Sequence, residues 1–128
     1  MILIAEDDDS IRALLTSILS ESGYQVISAG NGRDALNLYR AHQENIHLIV
    51  SDVVMPVMSG RELISEISQI NRDVKFVIMS GYTDDAVIRD GILDECINFL
   101  QKPISPENFL QKVREVLDES SYKSIRRL

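Results

Sequence analysis

Five short stretches of the chain are almost continuously apolar: Ile2–Ala5, Tyr24–Ala29, Leu48–Ser51, Val74–Met79 and Ile97–Leu100. Most are rich in Ile and Val and lack strict polar alternation, the pattern of strands covered on both faces. Between them, apolar positions recur at helical spacing. Ile11, Leu14, Leu15, Ile18 and Leu19 predict a first helix, and Gly23 stands where a C-terminal stop is needed. Ala35, Leu36 and Tyr39 mark a second helix, and Leu63, Ile64, Ile67 and Ile70 a third. Ala86, Val87, Gly91 and Leu93 mark a fourth, with fewer apolar positions. Phe109, Leu110, Val113, Val116 and Leu117 mark a fifth, introduced by Ser105 with Pro106 and Glu107 in its first turn.

Strands alternating with helices predict an α/β fold: a five-stranded parallel sheet with helices on both faces. Right-handed crossovers divide the helices between the two faces. Ligands of such sheets bind outside the carboxyl ends of the strands, so the residues following each strand are the ones to inspect.

Composition narrows the function. At 128 residues the chain makes one domain, with 45% hydrophobic and 26% charged residues. The net charge of −7 disfavours binding to a nucleic-acid backbone. The lone Cys96 allows no intramolecular disulfide, and no Cys/His cluster has metal-site spacing. No apolar run approaches the ~18 residues of a membrane span. Met1–Ala5 is too short for a signal peptide. A cytoplasmic protein without membrane or nucleic-acid partners is expected.

The strand ends carry the chemistry. Glu6, Asp7, Asp8 and Asp9 follow the first strand, Asp52 the third, Ser80 closes the fourth, and Lys102-Pro103 follows the fifth. Carboxylates packed together repel unless a cation sits between them. An all-oxygen donor set favours a hard ion such as Mg²⁺. A carboxylate beside such an ion can take a phosphoryl group as an aspartyl phosphate, with an ammonium and a hydroxyl holding the other oxygens.

The segments ILIAEDDDS, SDVVMPVMSG, VIMSGYTDD and NFLQKPISP occur together, in this order, in a chain that resembles the response-regulator receiver domain of two-component signalling. The resemblance covers about residues 1–119 and leaves 120–128 as a tail. It implies a flavodoxin-like sheet of order 2-1-3-4-5. Asp52 is then the phosphoacceptor, Asp7 a direct Mg²⁺ ligand, Glu6 a ligand through water, and the Val54 carbonyl the third protein ligand. Asp8 is the nearest alternative to Asp7. Ser80 becomes the switch hydroxyl, Phe99 the aromatic switch and Lys102 the phosphoryl clamp. Val54 and Tyr82 flank the approach of a hydrolytic water. The implied phosphodonor is a histidine kinase, with a histidine phosphotransfer protein as a further partner, and the protein is a monomer or weak dimer. It catalyses its own phosphorylation and dephosphorylation without turning over a separate substrate. The later segments look most like receivers at the C-terminus of hybrid histidine kinases. No output domain is expected, since five helices use nearly the whole chain.

Each residue also has a plainer reading. Four successive acids often form a solvated turn at a helix start, and Asp8 and Asp9 fit that role. Ser80 could cap a helix, Phe99 could be ordinary core, and His42 and His47 have no partner pattern. A haloacid-dehalogenase-type phosphatase shares the aspartate, Mg²⁺, hydroxyl and lysine, but leaves Asp52 before Met55-Pro56 unexplained. A dinucleotide-binding domain needs a G-x-G-x-x-G that is missing. A receiver that is never phosphorylated would not need the complete acidic, hydroxyl and lysine set.

Overall fold

A computed structural model describes residues 1–80 and 97–126. The elements, in chain order, are β1 (Ile2–Ala5), α1 (Asp9–Glu21), β2 (Val26–Ala29), α2 (Gly32–His42), β3 (Leu48–Asp52), α3 (Gly60–Ile70), β4 (Lys75–Ser80), β5 (Ile97–Gln101) and α4 (Pro106–Arg126). The fourth helix predicted over Ala86–Leu93, together with Tyr82 and Cys96, lies outside the described residues. Helix α4 continues without a break across the 119/120 boundary to Arg126.

All strand pairings are parallel, in the order β2-β1-β3-β4-β5. Strand residues alternate between two cores. Leu3, Ile49, Phe76 and Ile78 pack with Ala35, Leu36 and Tyr39 of α2 and Leu63 and Ile67 of α3. Ile2, Ile4, Leu48, Val50, Val77 and Met79 pack with Leu15 and Leu19 of α1 and Phe109, Val113 and Val116 of α4. This double cover is why the strands read as unbroken apolar runs. Two stripe residues differ from expectation: Leu14 is 50% exposed and Ile70 39%. Leu15 and Leu19, one helical turn apart, centre the buried face of α1, so Leu14 sits about 100° round from it. Ile70 is the last residue of α3. Among the described residues, no helix is long and apolar enough to cross a membrane.

Helix ends explain the strand boundaries. Asp8 caps α1, its side chain accepting from the Ile11 N–H at 3.0 Å. Gly23 follows that helix at φ 96°, a conformation that favours glycine. The Leu19 carbonyl then accepts from both Ser22 and Tyr24, so β2 begins at Val26 rather than at Tyr24. Asn31 caps α2, Ser59 and Glu62 form a capping box on α3, and Ser105 accepts from the Asn108 N–H at 3.1 Å. Strands β3, β4 and β5 run one residue further than the apolar pattern, which makes Asp52 and Ser80 terminal strand residues.

The segment from Val53 to Ser59 folds back on β3. The Val53 N–H donates to the Met79 carbonyl at 3.1 Å, and the Gly60 N–H to the Val53 carbonyl at 2.8 Å. Within it Val57 stands at φ 69°, costly for a β-branched residue. A Cβ on Gly60 would lie 1.9 Å from the Asp52 carbonyl oxygen, a backbone atom that cannot swing aside. Gly60→Ala is therefore expected to lower stability by about 1–3 kcal/mol, as overpacked sites do. Denaturant unfolding checks this; a midpoint equal to wild type would show that α3 can retreat from β3 without cost.

Candidate functional site

The sheet brings the predicted residues to one edge. Glu6 directly follows β1, Asp52 ends β3, Ser80 ends β4, and Lys102 directly follows β5. Glu6, Asp52 and Ser80 are buried, Lys102 is half-buried, and Asp7, Asp8 and Asp9 are exposed. The Lys102 ammonium lies 2.6 Å from Asp52 Oδ1 and 2.9 Å from Glu6 Oε1. Its backbone N–H donates to the Ser80 carbonyl at 2.8 Å, fastening the end of β4 to the turn after β5. The Lys102–Pro103 peptide is cis. Glu6 Oε2 accepts from the Asp8 N–H at 3.1 Å, so both oxygens of Glu6 have partners. Asp52 Oδ2 is buried with no hydrogen-bond partner among the described residues.

One lysine serves two buried carboxylates, and the imbalance appears in their acidities. Burial raises the Asp52 carboxyl, the neighbouring Glu6 raises it further, and Lys102 offsets only part of this, so it is pushed up to about 8. Burial also works against ionised Glu6. Its contacts with Asp52 and Lys102 and the Asp8 N–H more than compensate, holding it at about 2. Burial acts to lower Lys102, and the two carboxylates outweigh it, so the ammonium is held above its usual range.

The acidic residues of this edge form a candidate cation cage. Glu6, Asp7 and Asp52 each offer an oxygen, and these lie within 4.8 Å of one another. Three hard oxygen donors fit Mg²⁺ rather than a soft metal, and Asp52 also carries a buried oxygen, Oδ2, that is unpartnered among the described residues.

Phe99 is half-buried on β5, beside Ile78 in the sheet register. Ser80 lies two residues beyond Ile78 and so shares that face of the sheet. Val54 is 63% exposed, two residues beyond Asp52. His47 faces the Met1 amino group at 3.2 Å, at the amino end of β1, and His42 ends α2; neither joins the acidic edge. Residue-type reasoning missed Arg12. Its guanidinium donates from Nη1 to the Glu6 carbonyl at 2.8 Å and from Nη2 to Asp9 Oδ1. The available signal was its position three residues after Asp9 on a helix, where opposite charges meet.

A doubly wound parallel sheet of order 2-1-3-4-5 with an acidic edge of this kind has the α/β architecture of the chemotaxis regulators. More specifically, the chain belongs to the response regulator receiver domain family, whose model matches residues 2–114. It is 36% identical over 118 residues to the sensor kinase CckA of Brucella abortus, an alignment covering 92% of this chain and 12% of that kinase. It is 31% identical over 116 residues to the response regulator receiver protein CpdR of the same organism, covering 91% of this chain and 95% of CpdR. Among solved structures, the receiver domain of the hybrid histidine kinase CckA superposes with a TM-score of 0.76 at 27% identity, covering 91% of this chain and 97% of that one. Members of this family act as phosphoacceptors without a separate substrate.

Proposed function

We propose that Asp52 accepts a phosphoryl group from the phosphohistidine of a histidine kinase in a Mg²⁺-dependent reaction, and that the modification alters the surface of the domain. The observation that carries this reading is the buried Asp52 carboxylate, with Oδ1 on Lys102 and Oδ2 unpartnered among the described residues, at the carboxyl end of the central strand. A carboxylate oxygen of Asp52 forms the new O–P bond as the P–N bond to the donor imidazole breaks and its electron pair stays with the imidazole. Lys102 gives its ammonium to a phosphoryl oxygen, and the Ser80 hydroxyl turns towards another. Mg²⁺, held by Asp7, Asp52 and the Val54 carbonyl with Glu6 behind them through water, would neutralise charge on the phosphoryl oxygens. When Ser80 moves, Phe99 on the same face turns into the space released, changing the surface around β5. A ligand shifts such an equilibrium only through its different interaction with the two states.

Residues 1–119 form the receiver unit in this reading, with its own phosphorylation and dephosphorylation as its only catalysis. It works in the cytoplasm with a histidine kinase, in the same polypeptide or apart, or with a histidine phosphotransfer protein. Incubation with acetyl phosphate and Mg²⁺ is expected to add one phosphoryl mass, mapped by peptide digestion to Asp52. Label on Asp7 instead would favour a phosphatase-type nucleophile.

Asp7→Ala is expected to lose most Mg²⁺ affinity, by tenfold or more, as loss of one of few carboxylate ligands should produce. Without metal it should melt no lower than wild type, because one member of a repelling group is gone. Calorimetric titration and a melting curve read both; normal Mg²⁺ binding would remove Asp7 from the ligand set.

Loss of the phosphoryl group requires a water in line with the Asp52–phosphorus bond. The Val54 side chain is bulky and offers that water no acceptor. Val54→Asn is expected to speed the loss severalfold, on the order of 1 kcal/mol off the barrier. A chase after removal of the phosphodonor measures it, and an unchanged decay would show that position 54 does not limit access.

A further inference from the structure

We propose that Arg12 is a positioning residue that clamps the acidic turn and sets its affinity for the divalent cation, an inference that rests on the reading of Asp7 as a metal ligand. The turn between β1 and α1 places Glu6, Asp7, Asp8 and Asp9 in succession. Left alone, such a turn splays, since like charges on neighbouring side chains repel. Arg12 straddles it. Nη1 holds the Glu6 carbonyl at one end and Nη2 pairs with Asp9 at the other, so Asp7 and Asp8 lie between two anchored points.

The base of the clamp is itself fixed. The Arg12 N–H donates to the Asp8 carbonyl at 2.9 Å, and the Arg12 carbonyl accepts from Thr16 Oγ1 at 2.8 Å. The guanidinium passes beside Gly30, where a Cβ would stand 3.2 Å from Nη1. The Glu6 N–H donates to the neighbouring Ala29 carbonyl at 3.1 Å, so the turn is tied to β2 as well. Among the described ion pairs, this turn has two cations: Lys102 on the buried Glu6, and Arg12 on the exposed Asp9. Lys102 serves the buried end, and Arg12 orders the exposed end, where Asp7 sits.

An exposed ion pair adds little to global stability. The fixed two-nitrogen geometry of the guanidinium is what an ammonium cannot reproduce. Arg12 touches no reacting atom, so its effect should fall on ion binding and not on the chemical step. Ordering the turn before the ion arrives removes part of the ordering cost of binding.

The test is titration calorimetry with Mg²⁺ alone, followed by acetyl phosphate labelling across a Mg²⁺ series, on wild type, Arg12→Met, Arg12→Lys and Asp7→Ala. Arg12→Met is expected to bind Mg²⁺ about three- to tenfold more weakly, with a labelling rate at saturating Mg²⁺ within twofold of wild type. Arg12→Lys keeps the charge and the aliphatic stem, and covers the case in which the Met variant does not fold; it should bind two- to threefold more weakly. Wild-type Mg²⁺ affinity in Arg12→Lys, or in a folded Arg12→Met, overturns the clamp, as does a labelling defect that saturating Mg²⁺ leaves in place. Normal binding in Asp7→Ala overturns the ligand assignment, and the inference falls with it. Loss in Asp7→Ala beside wild-type affinity in either folded Arg12 variant overturns the inference alone.

Discussion

Asp52→Asn is expected to incorporate no phosphoryl group from acetyl phosphate and Mg²⁺ while remaining folded. An amide nitrogen or oxygen cannot replace the carboxylate as nucleophile. Among the described residues, no neighbouring carboxylate can stand in for it. Glu6 has both oxygens engaged, by Lys102 and by the Asp8 N–H, and Asp7 lies out on the exposed turn. The amide fits the same space and carries no charge to be buried. Metal-free Asp52→Asn should therefore melt no lower than wild type at pH 8, since Lys102 is left with a single buried partner, Glu6. Intact-mass measurement over a time course reads the first outcome and thermal unfolding the second. Label retained in the variant would mean that the acceptor lies elsewhere, whatever the melting curve shows.

The metal-free protein should lose stability steadily as pH rises from 5 to 8, and saturating Mg²⁺ should flatten that slope. The sign comes from Asp52. Its carboxyl titrates at about 8 when folded against an ordinary 3.8, so between these values the folded state holds a proton that the unfolded chain has released. Stability associated with that proton is complete below pH 3.8 and is lost as pH rises through 8, at up to about 1.4 kcal/mol per pH unit. Glu6 acts in the opposite sense and elsewhere. Held at about 2, it contributes stability that is present above its ordinary 4.5 and lost as pH falls towards 2, so it adds no slope between 5 and 8. A divalent ion needs deprotonated carboxylates, so Mg²⁺ affinity should rise over the same interval. Denaturant unfolding at several pH values, with and without Mg²⁺, gives the slopes, and Asp52→Asn isolates the contribution. A metal-free slope equal in wild type and Asp52→Asn would exclude Asp52 as its source.

Much of the fold was legible because the two periodicities do not overlap. Strands covered on both faces must be apolar at successive positions, and amphipathic helices only at every third or fourth. The misplaced details lie where local bonds override hydrophobicity. Tyr24 is apolar but belongs to the end of α1, because its N–H serves the Leu19 carbonyl. Leu14 is apolar but lies off the buried face. The candidate site was legible for a different reason. Phosphoryl chemistry needs particular residue types, and a parallel sheet brings its strand ends to one edge, so Glu6, Asp52, Ser80 and Lys102 could be named before their distances were known.

By itself, the amino-acid sequence determined the class of fold, the five strands, the edge at which chemistry is possible, and the residues that could take part, because all of these depend on residue type and short-range spacing. Only the tertiary structure decided how those residues divide the work. It buried Glu6 and left Asp7 exposed, gave one lysine to two carboxylates, left Asp52 Oδ2 without a partner among the described residues, and laid Arg12 across the acidic turn. These are matters of distance between residues as far as 96 positions apart in the chain. Burial and pairing set the free energy of a charged group far more than its identity does, and both exist only once the sheet has closed.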